Sequence, residues 1–233
     1  MFKRDSKKSP GKDGIVLDFF KILWGEIAND MRTLSTQMLR GRKLSEKQKQ
    51  GAIVCIPICE KPKTPKDYRP ITLLNTDYKI IARLLAARMR SVVPELLHPS
   101  QHCGVPENTI FDAVAAIRDA IAYVEKIHRP LCVVSLDLKE AFDRISHKYI
   151  WTILCSYGFR EEFVVRIAMM YNNATSSVQI NGHVSTPIQI RCGVRQGCPL
   201  SMTSFALCLN PLLYYLDKRL NGISTSGRQK RQQ

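Results

Sequence analysis

Between residues 17 and 39 the apolar side chains Leu17, Phe20, Trp24, Ile27, Met31, Leu34 and Met38 return at alternating steps of three and four. That is the period of an amphipathic helix with a wide apolar stripe. Residues 52–57, "AIVCIP", form a short apolar run closed by Pro57 and predict a strand. Residues 58–70 hold three prolines and four Lys/Arg side chains, so an extended cationic loop is expected there. A second helix is expected from about residue 77 towards 93, stopped at Pro94. A third starts at Asn108 or Thr109 and reaches residue 127, with Asn108 as its cap. Residues 131–136, "LCVVSL", predict a buried strand. Ser146 can cap a helix that ends at Gly158, which suits the left-handed position after a helix. A further helix fits 160–172, and Asn181-Gly182 is the turn pair of a type I′ hairpin. After the loop "RCGVRQGCPLS" an apolar helix is expected from about 201 to 216. The end, residues 221–233, is polar, basic and aperiodic, which predicts a disordered tail. Helices with few, scattered strands predict an α+β fold rather than a doubly wound sheet.

Composition adds a partner class. The chain has 233 residues and is 45% hydrophobic, enough to bury a core. Lys and Arg number 35 against 20 Asp and Glu, a formal charge of +15. The excess runs along the whole chain, which favours a polyanion such as a nucleic-acid backbone over a membrane surface. The first residues, "MFKRDSKKSPGKDG", lack the apolar core of a signal peptide. A cytoplasmic or nuclear protein, not secreted and with reduced cysteines, is the expectation. The eight cysteines contain no Cys-x-x-Cys pair, which argues against structural zinc.

Three stretches carry candidate chemistry. In "CVVSLDLKEAFDRI" an apolar run ends on Asp137, and Asp143 follows six positions later. Asp137 is either a helix-capping carboxylate or a ligand for a hard cation such as Mg²⁺, which takes carboxylate and phosphate oxygens together. In residues 62–80 Arg69 lies between Tyr68 and Pro70, where the backbone is restrained. The stretch is a solvated basic loop, or one whose guanidinium holds a triphosphate through paired hydrogen bonds. In "GVRQGCPLS", residues 193–201, two glycines permit close backbone approach and Gln196 offers an amide to a base or sugar. The alternative is a plain Gly/Pro loop before a helix.

Together "SPGKDGI", "YRPITLLNTDYKI", "VVSLDLKEAFDRIS" and "GVRQGCPLS" resemble, in order, the motifs of LINE-type (non-LTR) retrotransposon reverse transcriptases, with "LLNTDYKI" similar to the Tx-like branch. The resemblance runs from Ser9 to Gly222. It implies a right-hand polymerase fold: fingers and the start of the palm over residues 1–130, a partial palm over 131–220, and no thumb. It implies RNA-templated DNA synthesis by two-metal nucleotidyl transfer, with two Mg²⁺ ions, a dNTP, an RNA template and a DNA primer, and no membrane partner. By the same resemblance Asp137 is the first catalytic carboxylate and a ligand of both ions, helped by the backbone carbonyl of Leu138. Phe142 is the aromatic gate against a ribose 2′-hydroxyl, Arg69 a triphosphate contact, and Gln196 and Gly197 the loop that meets the incoming nucleotide. Lys63, Lys66 and Arg195 are the expected nucleic-acid contacts.

The sequence also departs from the family pattern. Ile58 stands where the family has a phosphate-neutralising lysine after the proline, which leaves Lys61 or Lys63 to replace it. The chain contains no Asp-Asp pair, whereas the family places one in an aromatic-x-Asp-Asp hairpin. The expectation is a chain truncated before that hairpin and inactive alone, with another chain supplying the missing palm and thumb. The alternative is a non-catalytic RNA- or DNA-binding module derived from the same fold.

Overall fold

Tyr78, Ile81, Ala82, Leu85, Ala86 and Met89 follow the helical period, and all six are buried in the computed structural model, which describes residues 9–40, 44–105 and 108–220. They form the inner face of α4 (Thr76–Arg90). Fully burying side chains the size of Ile81, Leu85 and Met89 is worth about 2 kcal/mol each, so this helix is the spine of the core. Around it lie Ile150 and Leu154 of α8 (His147–Ser156), Ile167 and Met170 of α9 (Glu161–Tyr171), and Leu207 of α10 (Ser201–Arg219).

The remaining elements follow in chain order. The amphipathic stretch 17–39 is two helices, α1 (Leu17–Ile22) and α2 (Trp24–Leu39), with the break at Leu23. Phe20, Met31 and Ile80 close a second small core beneath them. A one-turn helix α3 (Glu46–Lys49), held by a capping box between Ser45 and Gln48, leads into β1 (Gln50–Pro57). A single 3-10 turn at Pro65–Asp67 leads into β2 (Tyr68–Leu74), which takes over the last three residues of the extended loop expected at 58–70. β1 is central: it pairs antiparallel with β2, from Gly51 opposite Leu74 to Pro57 opposite Tyr68. It pairs parallel with β3 (Thr175–Ile180), from Gln50 opposite Thr175 to Val54 opposite Gln179. β4 (His183–Val184) and β5 (Ile188–Gln189) both add to β3. β2 is an edge strand, which is where a ladder tolerates Pro70. The hairpin turn has Asn181 and Gly182 at positive φ (49° and 80°), as the type I′ turn requires. The sheet and the core both draw on residues before and after position 130, so a single mixed α+β body results.

Several boundaries differ from the sequence expectation. α4 ends at Arg90, and Pro94 sits in the first turn of a further short helix, α5 (Val93–Leu96), where its missing N–H is harmless. α6 (Ile110–Lys126) is capped by Thr109, whose side chain accepts from Asp112 N, while Asn108 donates to the Gln101 carbonyl instead. A one-turn helix, α7 (Ala141–Arg144), precedes α8. Ser146 caps α8 by accepting from Tyr149 N at 3.1 Å, and Gly158 follows it at φ 79°, both as expected.

The largest correction is residues 131–136. They form no strand and are exposed; Val134 retains 70% and Leu136 79% of their surface. A strand needs a neighbour for its ladder hydrogen bonds, and no described strand lies alongside this stretch. α6 is likewise open, with Ile110, Phe111, Val114 and Ile117 facing solvent. The tail 221–233 lies outside the described residues, and no described helix is long and apolar enough to cross a membrane.

Candidate active site

The loop between β5 and α10 is stitched to three separate parts of the chain. At its start Cys192 bridges Ser146, Gly193 N donates to the Ile145 carbonyl and Val194 N to the Phe142 carbonyl, each at 2.7 Å. In its middle the Gln196 carbonyl accepts from Thr72 N at 2.8 Å, so the open edge of β2 is covered by the loop. At its end the Arg195 carbonyl accepts from Cys198 N and from the Ser201 hydroxyl at the head of α10. The glycines make these approaches possible. Gly193 has φ 81°, and a Cβ there would lie 2.8 Å from the Asp143 Cα and the Phe142 carbonyl oxygen. Gly197 has φ 107°, and a Cβ there would lie 2.7 Å from the Thr72 oxygen.

This stitching builds a cleft of about 470 Å³. Arg69 from β2, Phe142 from α7, and Gln196 and Gly197 from the loop line it, with Ser201 and Met202 from α10. Four of the residues singled out in the sequence therefore meet, although they span positions 69 to 197. Phe142 stacks on Phe205 with ring centroids 4.8 Å apart, so one face rests on the core and the side chain still lines the cleft. Gln196 Nε2 reaches the Asp143 carboxylate at 3.4 Å. Desolvation raises that carboxyl above the ordinary range, and the Gln196 bond opposes the rise. Glu140, also in the lining, starts α7 from a left-handed φ of 54° and is held by Arg144 at 3.0 Å.

The other expected site residues lie elsewhere. Asp137 and Leu138 belong to the exposed stretch that precedes α7 and do not line the cleft. Lys61, Lys63 and Lys66 are exposed on the β1–β2 connection, where Asp67 ties the turn by accepting from Lys63 N, Thr64 N and the Thr64 hydroxyl. These bonds hold the Asp67 carboxyl below its ordinary range. Ile58 is exposed there too. Arg195 is not a surface cation: it is 4% exposed and lies against Tyr78. Phe205 and His147 were not singled out in the sequence. Phe205 lies one helical turn beyond Ser201, and that spacing was its only signal.

His147 adds a pH dependence. Its Nε2 lies 3.0 Å from the Gly193 carbonyl. Burial lowers its pKa below the ordinary 6.5, the Gly193 bond opposes this, and Arg195 adds to it. The folded state thus favours the neutral ring, while the unfolded chain takes up a proton near the ordinary value. Stability is intact above that value and is lost as the pH falls from it towards the folded pKa. Melting curves from about pH 7.5 to about pH 5 should show a drop that His147→Gln reduces. Parallel curves for the two proteins would refute the assignment.

Comparison with known proteins supplies the class. Residues 59–227 match the reverse transcriptase (RNA-dependent DNA polymerase) family, and the chain belongs to that family. It is 37% identical over 216 residues to the transposon TX1 uncharacterized 149 kDa protein of Xenopus laevis, covering 93% of this chain and 16% of that protein. It is 27% identical over 212 residues to the Pol polyprotein of the type-2 retrotransposable element R2DM of Drosophila melanogaster, covering 91% of this chain and 20% of the relative. It is 26% identical to the probable RNA-directed DNA polymerase from transposon BS of the same fly, covering 89% and 22% respectively. The chain is thus a LINE-type reverse transcriptase domain that spans about a sixth to a fifth of the length of these relatives.

Proposed function

We propose that this chain is the nucleotide-gripping part of a retrotransposon reverse transcriptase: fingers and the start of the palm over residues 1–130 and a partial palm over 131–220. In this reading the cleft receives a dNTP, and the activity it serves is RNA-templated DNA synthesis. The observation that carries it is the convergence of Arg69, Phe142, Gln196 and Gly197 on one cleft. A guanidinium in the lining suits a triphosphate, an aromatic beside it suits discrimination at the sugar, and an amide next to a glycine suits a base or template contact. The +15 charge suits an RNA template and DNA primer tracking past it.

The metal donors are fewer than the reaction class uses. Mg²⁺ is held by one or two carboxylates together with substrate phosphates. Asp137 and the Leu138 carbonyl are donors of the right type for one ion, but they lie on the exposed stretch outside the cleft. They do not fit two, since Glu140 is engaged by Arg144, Asp143 by Gln196, and no group of three potential ligands gathers among the described residues. The expected result is nucleotide binding without primer extension by these 233 residues alone.

Titration with a fluorescent dNTP and Mg²⁺ tests the reading. Arg69→Ala is expected to weaken binding by roughly tenfold or more, the scale of a charge-assisted contact. Phe142→Ala should narrow the preference for dNTP over rNTP. Equal affinities for wild type and Arg69→Ala would sink the proposal. A second reading, a nucleic-acid-binding module without catalysis, is favoured by the placement of Asp137 on an exposed stretch outside the cleft. It is distinguished by RNA or DNA binding that is steeply salt-dependent and indifferent to Mg²⁺ and dNTP.

A further inference from the structure

Arg195 precedes the cleft's Gln196 yet turns away from the cleft. Its guanidinium lies 5.4 Å from the ring centroid of Tyr78, and none of its three nitrogens has a hydrogen-bond partner among the described residues. Tyr78 is wholly buried on α4 and is held there by core packing, with its hydroxyl donating to the Met170 carbonyl of α9 at 3.2 Å. A buried guanidinium keeps its charge, and burying a charge without a partner is costly. The electron-rich face of Tyr78 is the compensation on hand, and cation–π attraction is strongest when desolvated. A side chain kept only to fill volume would not need a charge here.

The backbone around Arg195 shows what the contact controls. Its own carbonyl accepts from Cys198 N and the Ser201 hydroxyl, and the next carbonyl, that of Gln196, accepts from Thr72 N. On the other side Val194 N donates to Phe142. The loop is therefore held from outside by β2 and α7, and from inside by Arg195 on Tyr78 together with the buried side chains of Val194 and Cys198. We propose that Arg195 is a positioning residue: laid on Tyr78, it latches the Gln196–Gly197 turn to α4 and so fixes the wall of the nucleotide cleft. The role assigns Arg195 no contact with nucleic acid. The consequence for nucleotide affinity rests on the proposed function; the latch itself does not.

Amide hydrogen exchange at Thr72, whose N–H donates to Gln196, reads the latch directly, and dNTP titration reads its consequence. In Arg195→Met, which keeps the volume and removes the charge, Thr72 should exchange about tenfold faster and the dNTP Kd should rise about fivefold, with the melting temperature held or raised because a buried charge is gone. Arg195→Lys should fall between that variant and wild type, since an ammonium keeps the charge but not the flat stacking surface. Tyr78→Phe keeps the ring face and should match wild type at Thr72. Wild-type exchange at Thr72 in Arg195→Met overturns the proposal, as does loosening in Tyr78→Phe equal to that in Arg195→Met. Should Arg195→Met fail to fold, Arg195→Lys decides: Thr72 exchange faster than in wild type supports the latch and wild-type exchange overturns it. Should wild type show no dNTP affinity, the nucleotide reading fails, and Thr72 exchange still decides the latch.

Discussion

Gly193→Ala is expected to lower the free energy of unfolding by about 3 kcal/mol, at the upper end for a non-glycine residue forced to a left-handed φ. Two costs combine. The φ of 81° is strained for any L side chain, and the new methyl would meet backbone, namely the Asp143 Cα and Phe142 oxygen, rather than a side chain able to swing aside. The loop can relieve the clash only by lifting off residues 142–146. That breaks the bonds from Gly193 N and Val194 N and the bridge from Cys192 to Ser146. Two effects should therefore appear together in urea denaturation and dNTP titration: a lower midpoint and a weaker affinity, because Phe142 and Gln196 are placed by the same contacts. Gly158→Ala is the matched control. It also sits at positive φ, 79°, but its methyl would meet nothing within 4 Å, so it should cost about 1 kcal/mol and leave nucleotide affinity unchanged. Equal losses in the two variants would show that backbone conformation, and not the close approach at Gly193, is what matters.

How far the sequence showed this architecture depends on whether the deciding partner is near in the chain. The face of α4 was legible because helical spacing alone groups Tyr78, Ile81, Leu85 and Met89. The Ser146 cap and the Asn181-Gly182 turn were legible because each is settled within four residues. Residues 131–136 have an equally strong local signal, yet an apolar run becomes a strand only beside another strand. Arg195 failed for the same reason from the opposite side. A cation in a glycine-rich loop looks solvated until Tyr78, more than a hundred positions earlier, supplies a ring for it to lie on. Thr109 over Asn108 was a smaller miss, decided by Asp112 completing a capping box. The cleft became visible through ordered motifs rather than periodicity. Those motifs named Arg69, Phe142, Gln196 and Gly197 but not the means by which they meet, which is backbone pairing among β2, α7 and the loop.

Asn210 is the residue for which the second large effect is expected, and periodicity hid it inside an apolar helix. Its side chain is wholly buried. Its Oδ1 accepts from His98 N at 2.7 Å, and its Nδ2 donates to the Leu96 carbonyl at 3.0 Å and to the Tyr157 hydroxyl at 2.5 Å. One amide thus ties α10 to the end of α5 and to the turn after α8. The next residue is Pro211, inside the helix, where no N–H is available to continue the α-helical ladder. Asn210 supplies side-chain bonds just where the backbone loses one. Asn210→Leu keeps the volume but strands the part-buried His98 N–H and Leu96 carbonyl, each costing up to roughly 1–3 kcal/mol, so a total loss of about 3 kcal/mol is expected. Chemical denaturation should show a lower midpoint at unchanged slope, since the exposed area on unfolding is the same. Asn210→Asp should be at least as damaging at neutral pH, because it loses both donors and buries a carboxylate against the Leu96 carbonyl. A change below about 0.5 kcal/mol in Asn210→Leu would mean that the freed groups find water and that the side-chain bonds are no anchor. Because Ser201 and Phe205 stand on the first turns of this same helix, loss of the Asn210 anchor should leave the cleft's geometry largely intact while destabilising the far half of α10, and dNTP affinity measured well below the unfolding transition should stay at the wild-type value.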